Sequence, residues 1–410
     1  MTLDALRIPW SRPADAPTRL EPAARAFVAV ALALVAIGIV AVYSASATTS
    51  EVALGDATYY LRRQALWAGL GVVTMFLAMR TDPRRLDRIA GPLLVLALVA
   101  LAVLLVPGVA PRIKGAQRWV RIGSVSFQPS ELAKLALVLW LAAHLARNAA
   151  RLGEWRRGTL PAVVPLGLAA FLVLVEPDFG TALFLGAVGV AMTLVGGVPV
   201  RRLLLLAVYA LPVVAWQIER RWEVFAKRLE AVGGGAGDGP AAYQVQQSLV
   251  ALGSGGWFGR GLGAGRQKLF FLPEARTDFI LPVFAEETGF VGAALVVLLF
   301  ALLVACGARV ALGAARHDRF GFLLAFGLVF WIGLQAAGNV AVVTATVPTK
   351  GIALPFVSLG GSSLLVLCAA TGLVYAVARH VDARTAAEAR ARPAEPGPSA
   401  GVPVALGGAA

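Results

Sequence analysis

A chain of 410 residues that is 58% hydrophobic and only 15% charged carries more apolar surface than a single soluble core can bury, since soluble domains hold about a quarter charged residues. The formal charge of +14 is dispersed between apolar runs, with no basic domain and no zinc-finger spacing, which excludes a nucleic-acid-binding module. Cys306 and Cys368 each fall inside an apolar run with no CxxC or histidine neighbour, so neither a disulfide framework nor a metal site is implied.

The first 25 residues mix Arg7, Arg12, Arg19 and Arg25 with prolines and acids, and the apolar run begins only at Ala26. That order reads as a cytoplasmic tail before an uncleaved first helix, because a signal peptide brings its short apolar region earlier. A span needs about 20 mostly apolar residues, and lipid admits only helices or closed barrels. The runs here are too long and continuous for barrel strands, so the sequence predicts an all-α, polytopic integral membrane protein. Ten transmembrane helices fit, near 26–46, 62–80, 88–107, 130–147, 160–176, 179–197, 202–217, 281–306, 320–343 and 360–379.

An even number of spans puts both termini on one side. Lysine and arginine gather in the short even-numbered loops, as in RTDPRRLDR (80–88), RNAARLGEWRR (147–157) and Arg309, Arg316 and Arg319; that bias assigns the termini to the cytoplasm. The long loop at about 218–280 is then extracytoplasmic. Its segment 231–240, AVGGGAGDGP, reads as a flexible tip, and the Ala-, Pro- and Gly-rich chain beyond about 384 reads as a disordered tail.

Two outer loops break the charge rule. Loop three carries Arg112, Lys114, Arg118 and Arg121, and loop seven carries Arg220, Arg221, Lys227, Arg228, Arg260, Arg266, Lys268 and Arg276. Anionic lipid headgroups are one reason to keep cations there. An anionic ligand such as a pyrophosphate, which arginine meets with planar two-pronged donors, is the other.

Several residues within this frame could carry chemistry. In FQPSELAK, Glu131 and Lys134 are i and i+3 neighbours on one helical face; a capped helix start explains Glu131, but Lys134 lies about a turn inside the membrane, where an ionisable group usually faces a cavity. EPDFGT sets Glu176 and Asp178 in a tight turn between two spans, either as solvated caps or pointing into a shared cavity. Asp278, before the eighth span, is either an N-cap region residue or a general base at a partly dehydrated membrane mouth, with Arg276 beside it. At least one of Glu286 and Glu287, two turns deeper, should face the bundle interior. In VPTKGIALPFVSLGGSS, Lys350 could meet phosphate as a point charge, and Ser362 and Ser363 could cap the last helix.

Four stretches together, KGAQRWVRIGSVSFQPSELAK (114–134), EPDFGTA (176–182), GWFGRGLGAGRQKLFFLPEARTDFI (256–280) and NVAVVTATVPTKGIALPFVSLGGSSLL (339–365), resemble in sequence order the SEDS family of shape, elongation, division and sporulation proteins. The PTKG and GLGAGRQK runs look like its division branch rather than its elongation branch. The resemblance covers roughly residues 26–380 and implies a SEDS-type fold and a peptidoglycan glycosyltransferase that polymerises lipid II at the division septum. It also implies a class B penicillin-binding protein as transpeptidase partner, alongside other division proteins. By position, Asp278 would be the catalytic carboxylate. Glu131, Lys134 and Asp178 would line the cavity, with Arg118, Lys268, Arg276, Lys350 and Ser362 as further substrate contacts. A divalent cation, magnesium or manganese, would help screen the pyrophosphate, although no protein metal site is evident. A lipid II flippase and an elongation-type transferase are the alternatives. The chain departs from the family's pattern at Arg276, where histidine is common before TDFI, and at Leu359, where tyrosine is common before GGSS.

Overall fold

The computed structural model describes residues 19–111, 117–123, 125–220, 222–232, 239–349 and 351–391. Arg112, Lys114, Arg221, Lys350, most of the 231–240 tip, the first 18 residues and the chain beyond 391 lie outside the described residues. The apolar runs fold as helices because lipid offers backbone polar groups no other partner. The first seven predicted spans are α1 (Glu21–Leu54), α2 (Tyr59–Arg80), α3 (Pro83–Leu104), α4 (Pro129–Arg147), α5 (Leu160–Val175), α6 (Phe179–Val195) and α7 (Val200–Arg220). After the shorter α8 (Trp222–Glu230) and α9 (Pro240–Ser254) come the last three, α10 (Ile280–Ala314), α11 (Arg319–Val343) and α12 (Gly361–Ala391). Eight of the described helices are long and apolar enough to cross a bilayer, α5 counting together with the π turn Trp155–Thr159 that leads into it, 21 residues in all. The other two expected spans fall short: α6 has 17 residues, about 25 Å of rise, and α2 carries Arg62, Arg63 and Gln64 within its first two turns.

Three expectations need correction. The long loop is more than a tip between spans, because α9 places Ala242, Val245, Ser248 and Ala251 on one face and packs that face on α10 and α11. The Ser248 hydroxyl donates to the Val343 carbonyl at 2.8 Å and fixes the contact. Loop three contains an antiparallel hairpin, β1 (Val120–Ile122) with β2 (Val125–Phe127), turned at Gly123, whose φ is 63°. The helix α12 continues to Ala391, past the expected start of disorder at 384; its end is alanine-rich, and Arg384 pairs with Glu388 one turn on at 2.9 Å.

The two ends of the bundle's chain meet. The backbone N–H groups of Leu20 and Glu21 each donate to the Asp382 carboxylate at 2.8 Å, so α12 supplies the cap that the first turn of α1 lacks. The central helix is α4, buried along nearly its whole length and packed by α3, α6 and α11.

α10 is broken at Gly289, where φ is 73° and ψ is −172°, a region open essentially to glycine alone. The break frees two carbonyls, and the GWFGRG loop takes them: the N–H groups of Arg260 and Gly261 donate to Glu286 and Glu287 at 3.0 Å each. In return, Phe290 and Val291 donate to the carbonyls of Gly256 and Trp257 at 2.8 and 3.2 Å. A Cβ at Gly289 would come within 2.4 Å of Gly259 N and Trp257 O, which is why side chains are absent at this crossing.

Candidate active site

At the end of the bundle opposite the chain termini, α4, α6, α11 and α12 and the segments before α10 and α12 enclose a cavity of about 710 Å³. Of the expected catalytic and substrate-contact residues, Arg118, Glu131, Lys134, Asp178 and Asp278 line it. Lys227 and Arg228, basic residues of the long loop, line it too, carried there by α8.

Asp278 stands half-buried just before α10, and the carbonyls of Arg276, Thr277 and Asp278 are each held by a donor. The Asn339 amide, fully buried on α11, donates to the carbonyls of Asp278 and Ile352 at 2.8 and 2.7 Å, and so ties the carboxylate's segment to the segment before α12. The Ser358 hydroxyl donates to Thr277 O at 2.6 Å, and Leu359 N donates to Arg276 O at 3.0 Å. The carboxylate itself lies against backbone: a Cβ at Gly351 would sit 3.1 Å from its Oδ2. Glycine next to Lys350 therefore lets the PTKG segment approach the acid closely.

Lys134 and Glu131 form a buried ion pair at 2.9 Å, with the lysine side chain 6% and the glutamate 9% exposed. Lys134 also donates to Gln335 Oε1 at 3.3 Å and lies 5.1 Å from the Trp331 ring and 5.5 Å from that of Phe184. Trp331 donates to the same Gln335 oxygen at 3.0 Å, while the Gln335 amide reaches Ala353 O at 2.9 Å. These contacts supply the protein environment that an intramembrane cation requires. Glu131 lines the cavity, and its Oε2 is buried with no hydrogen-bond partner among the described residues.

Arg118 grips the EPDFGT turn. It donates to the carbonyls of Glu176 and Pro177 and lies 3.6 Å from Asp178. Asp178 does two things at once: it caps α6 by accepting from Thr181 N at 3.1 Å, and it lines the cavity. Glu176 turns inward instead. Burial, reinforced by the Asp178 charge and opposed by Arg118, pushes its carboxyl from the ordinary 4.5 up to about 8, so at neutral pH it is largely protonated.

Three expected contacts lie elsewhere. Lys268 is buried away from the cavity, 2.6 Å from Glu287 and within hydrogen-bond reach of Ser44 and the Gly263 carbonyl. It locks the glycine-rich loop onto α10 and α1. Glu286 is buried likewise and accepts from Arg266 N and Gln267 N at 3.0 Å each. Arg276 stacks its guanidinium 4.2 Å from the Tyr60 ring of α2, and Ser362 accepts from Gln128 N at 3.2 Å, whereas Ser363 lines the cavity. Sequence reasoning missed Asn339, Gln335 and Ser358. The only signal for them was an uncharged polar side chain within an apolar or glycine-rich run. Among the described residues no three His, Cys, Asp or Glu side chains gather to hold a metal ion.

The model of the FtsW, RodA and SpoVE cell cycle proteins matches residues 24–383. A probable peptidoglycan glycosyltransferase FtsW of Geobacter sp. (strain M18) is 40% identical over 345 residues, spanning 84% of this chain and 94% of that one. Stage V sporulation protein E of Bacillus subtilis (strain 168) is 36% identical over 360 residues, 86% of this chain and 96% of its own. Among solved structures, a chain described in work on how a peptidoglycan synthase complex coordinates polymerization and crosslinking superposes with a TM-score of 0.66 at 31% identity, covering 87% of this chain and 97% of that one. The rod shape determining protein RodA of Thermus thermophilus gives 0.62 at 31% identity, with 86% and 95% covered. The match runs from the first turns of α1 into α12 and takes in every residue of the cavity, and the chain belongs to the FtsW, RodA and SpoVE family of cell cycle proteins.

Proposed function

We propose that the protein is a peptidoglycan glycosyltransferase that polymerises lipid II into glycan strands during cell division, with Asp278 as its general base. The observation that carries this reading is a carboxylate held by its backbone at the edge of a cavity that also holds Arg118, Lys134, Lys227 and Arg228. A sugar on a polyprenyl diphosphate needs that combination. Asp278 takes the proton of the acceptor 4-hydroxyl as its oxygen attacks the donor anomeric carbon. The bond from that carbon to the diphosphate oxygen breaks on the opposite face, which inverts the centre and releases polyprenyl pyrophosphate. Cations along the wall stabilise the departing charge, and Glu131 fixes Lys134 among them through their ion pair. Lys350, next to the cavity-lining Thr349 and Gly351 in sequence, is a further candidate contact for the diphosphate.

The described residues do not fit a protein-held metal ion, since Glu131 and Asp178 are already paired with cations and no third ligand joins them. Any magnesium or manganese would enter on the diphosphate of the substrate. The names of the relatives at 40% identity support the division role over the elongation role, and the synthase-complex relative supports a class B penicillin-binding protein as crosslinking partner. On this reading the protein resides in the cytoplasmic membrane at the septum, with both termini in the cytoplasm. The test is lipid II polymerisation in detergent by the purified protein with its partner. Asp278→Asn should lower the rate by about 10²- to 10⁴-fold. A folded variant that polymerises at the wild-type rate would remove Asp278 from the chemistry.

A further inference from the structure

A second cavity, of about 440 Å³, opens between α1, α2 and α12 at the end of the bundle where the chain termini meet. Ser363 lines the active-site cavity and Arg379 lines this one; about 24 Å of α12 separates them at about 1.5 Å per residue. Its rim is basic: Arg25 lies in the second turn of α1, Arg80 ends α2, and Arg379 is three residues before the Asp382 that caps α1. Its floor is apolar, formed by Met79 beside Arg80 and, one to two turns deeper into the bilayer, by Val28 and Leu32 of α1 and Phe76 of α2.

The acids nearby do not neutralise that rim. Glu21 is paired with Arg25 at 2.7 Å and receives the Tyr375 hydroxyl at 3.0 Å. Asp382 is committed to the backbone of α1, and Asp82 caps α3. Among the described residues Arg80 and Arg379 have no hydrogen-bond or ion-pair partner. The first 18 residues of the chain hold two aspartates and two arginines and so add no net negative charge. What fits is an anion joined to an apolar tail, presented at the depth where headgroups meet acyl chains.

We propose that this groove binds an acidic phospholipid of the leaflet on the side of the termini. Its phosphate sits between Arg80 and Arg379, and the first part of an acyl chain lies along Val28, Leu32, Phe76 and Met79. Basic pockets between spanning helices are the usual receptors for such headgroups. The occupant is distinct from the substrate, whose reacting sugar is handled at the other end of the bundle.

The experiment uses the full chain in detergent, titrated with dioleoyl phosphatidylglycerol or dioleoyl phosphatidylcholine, with retained lipid read by native mass spectrometry. The wild type should keep phosphatidylglycerol in preference. Arg80→Gln or Arg379→Gln should each weaken retention about fivefold, and the pair about 30-fold. Arg156→Gln with Arg157→Gln, exposed arginines elsewhere on the same end, should change nothing, which separates a site from general attraction to anionic lipid. Ala29→Phe fills the groove and leaves every arginine in place, and it should also displace the lipid. Equal retention of the two lipids, or undiminished phosphatidylglycerol in the double arginine variant or in Ala29→Phe, would overturn the proposal.

Discussion

Glu176 shows how a single position reports its surroundings. It lies just past α5 in a turn gripped by Arg118, yet it is buried, and its Oε1 has no hydrogen-bond partner among the described residues. The folded protein holds its proton up to about pH 8, whereas the unfolded chain releases it near 4.5. The stability this group contributes is therefore complete below about 4.5 and is lost as the pH rises through about 8. Glu176→Gln cannot titrate, so its melting temperature should gain on that of the wild type across this window and hold a constant lead above it. Thermal unfolding at several pH values checks the slope, and parallel curves would mean that the carboxyl ionises freely. Asn339 makes a different prediction. Asn339→Ala removes the bonds that tie the Asp278 segment to the segment before α12 and leaves the carboxylate in place, so kcat should fall more than lipid II affinity.

At the scale of elements, the broken α10 and the loop sewn into it form one unit. The pair of Lys268 and Glu287 is almost fully buried, with side chains 5% and 1% exposed. Removing one partner strands the other charge, so Lys268→Ala should destabilise the protein by about 3 to 5 kcal/mol. The apolar pair Lys268→Met with Glu287→Leu should recover most of that loss, read as melting temperature, and should restore polymerisation with it. Recovery of the fold without recovery of activity would give Lys268 a role toward substrate. Gly289→Ala should be worse tolerated than either, because its Cβ meets backbone on the facing loop.

This unit also marks where sequence reading stops. The ten helices were legible because apolar runs are long and their charges conspicuous, and Lys134 and Asp278 stood out as ionisable groups at membrane depth. The destination of Lys268 was not legible, because a cation and its acid 19 residues apart in a loop and a helix carry no spacing signal. Asn339, Gln335 and Ser358 were hidden for a related reason: a neutral amide or hydroxyl does not interrupt an apolar pattern. The short helix α9 was missed because hydropathy seeks spans, and its buried face is made of small residues.

For the whole molecule, the proposed chemistry depends on which side of the membrane the cavity faces. Leu262 is exposed on the glycine-rich loop, while the native Cys306 and Cys368 are buried. Leu262→Cys should therefore react with a membrane-impermeant maleimide on intact cells, with little background from the native thiols. A cysteine at Arg156, exposed near the opposite end, should react only after lysis. The reverse pattern would put Asp278 in the cytosol, away from any growing wall.

The bond from Asp382 back to Leu20 and Glu21 has a consequence for biosynthesis. The earliest of the described helices is completed by the last one: until α12 is made, the opening turn of α1 lacks the Asp382 carboxylate that its N–H groups bond. A nascent chain thus carries an unfinished end through the insertion of every intervening span, and a chain cut short before residue 382 never closes it.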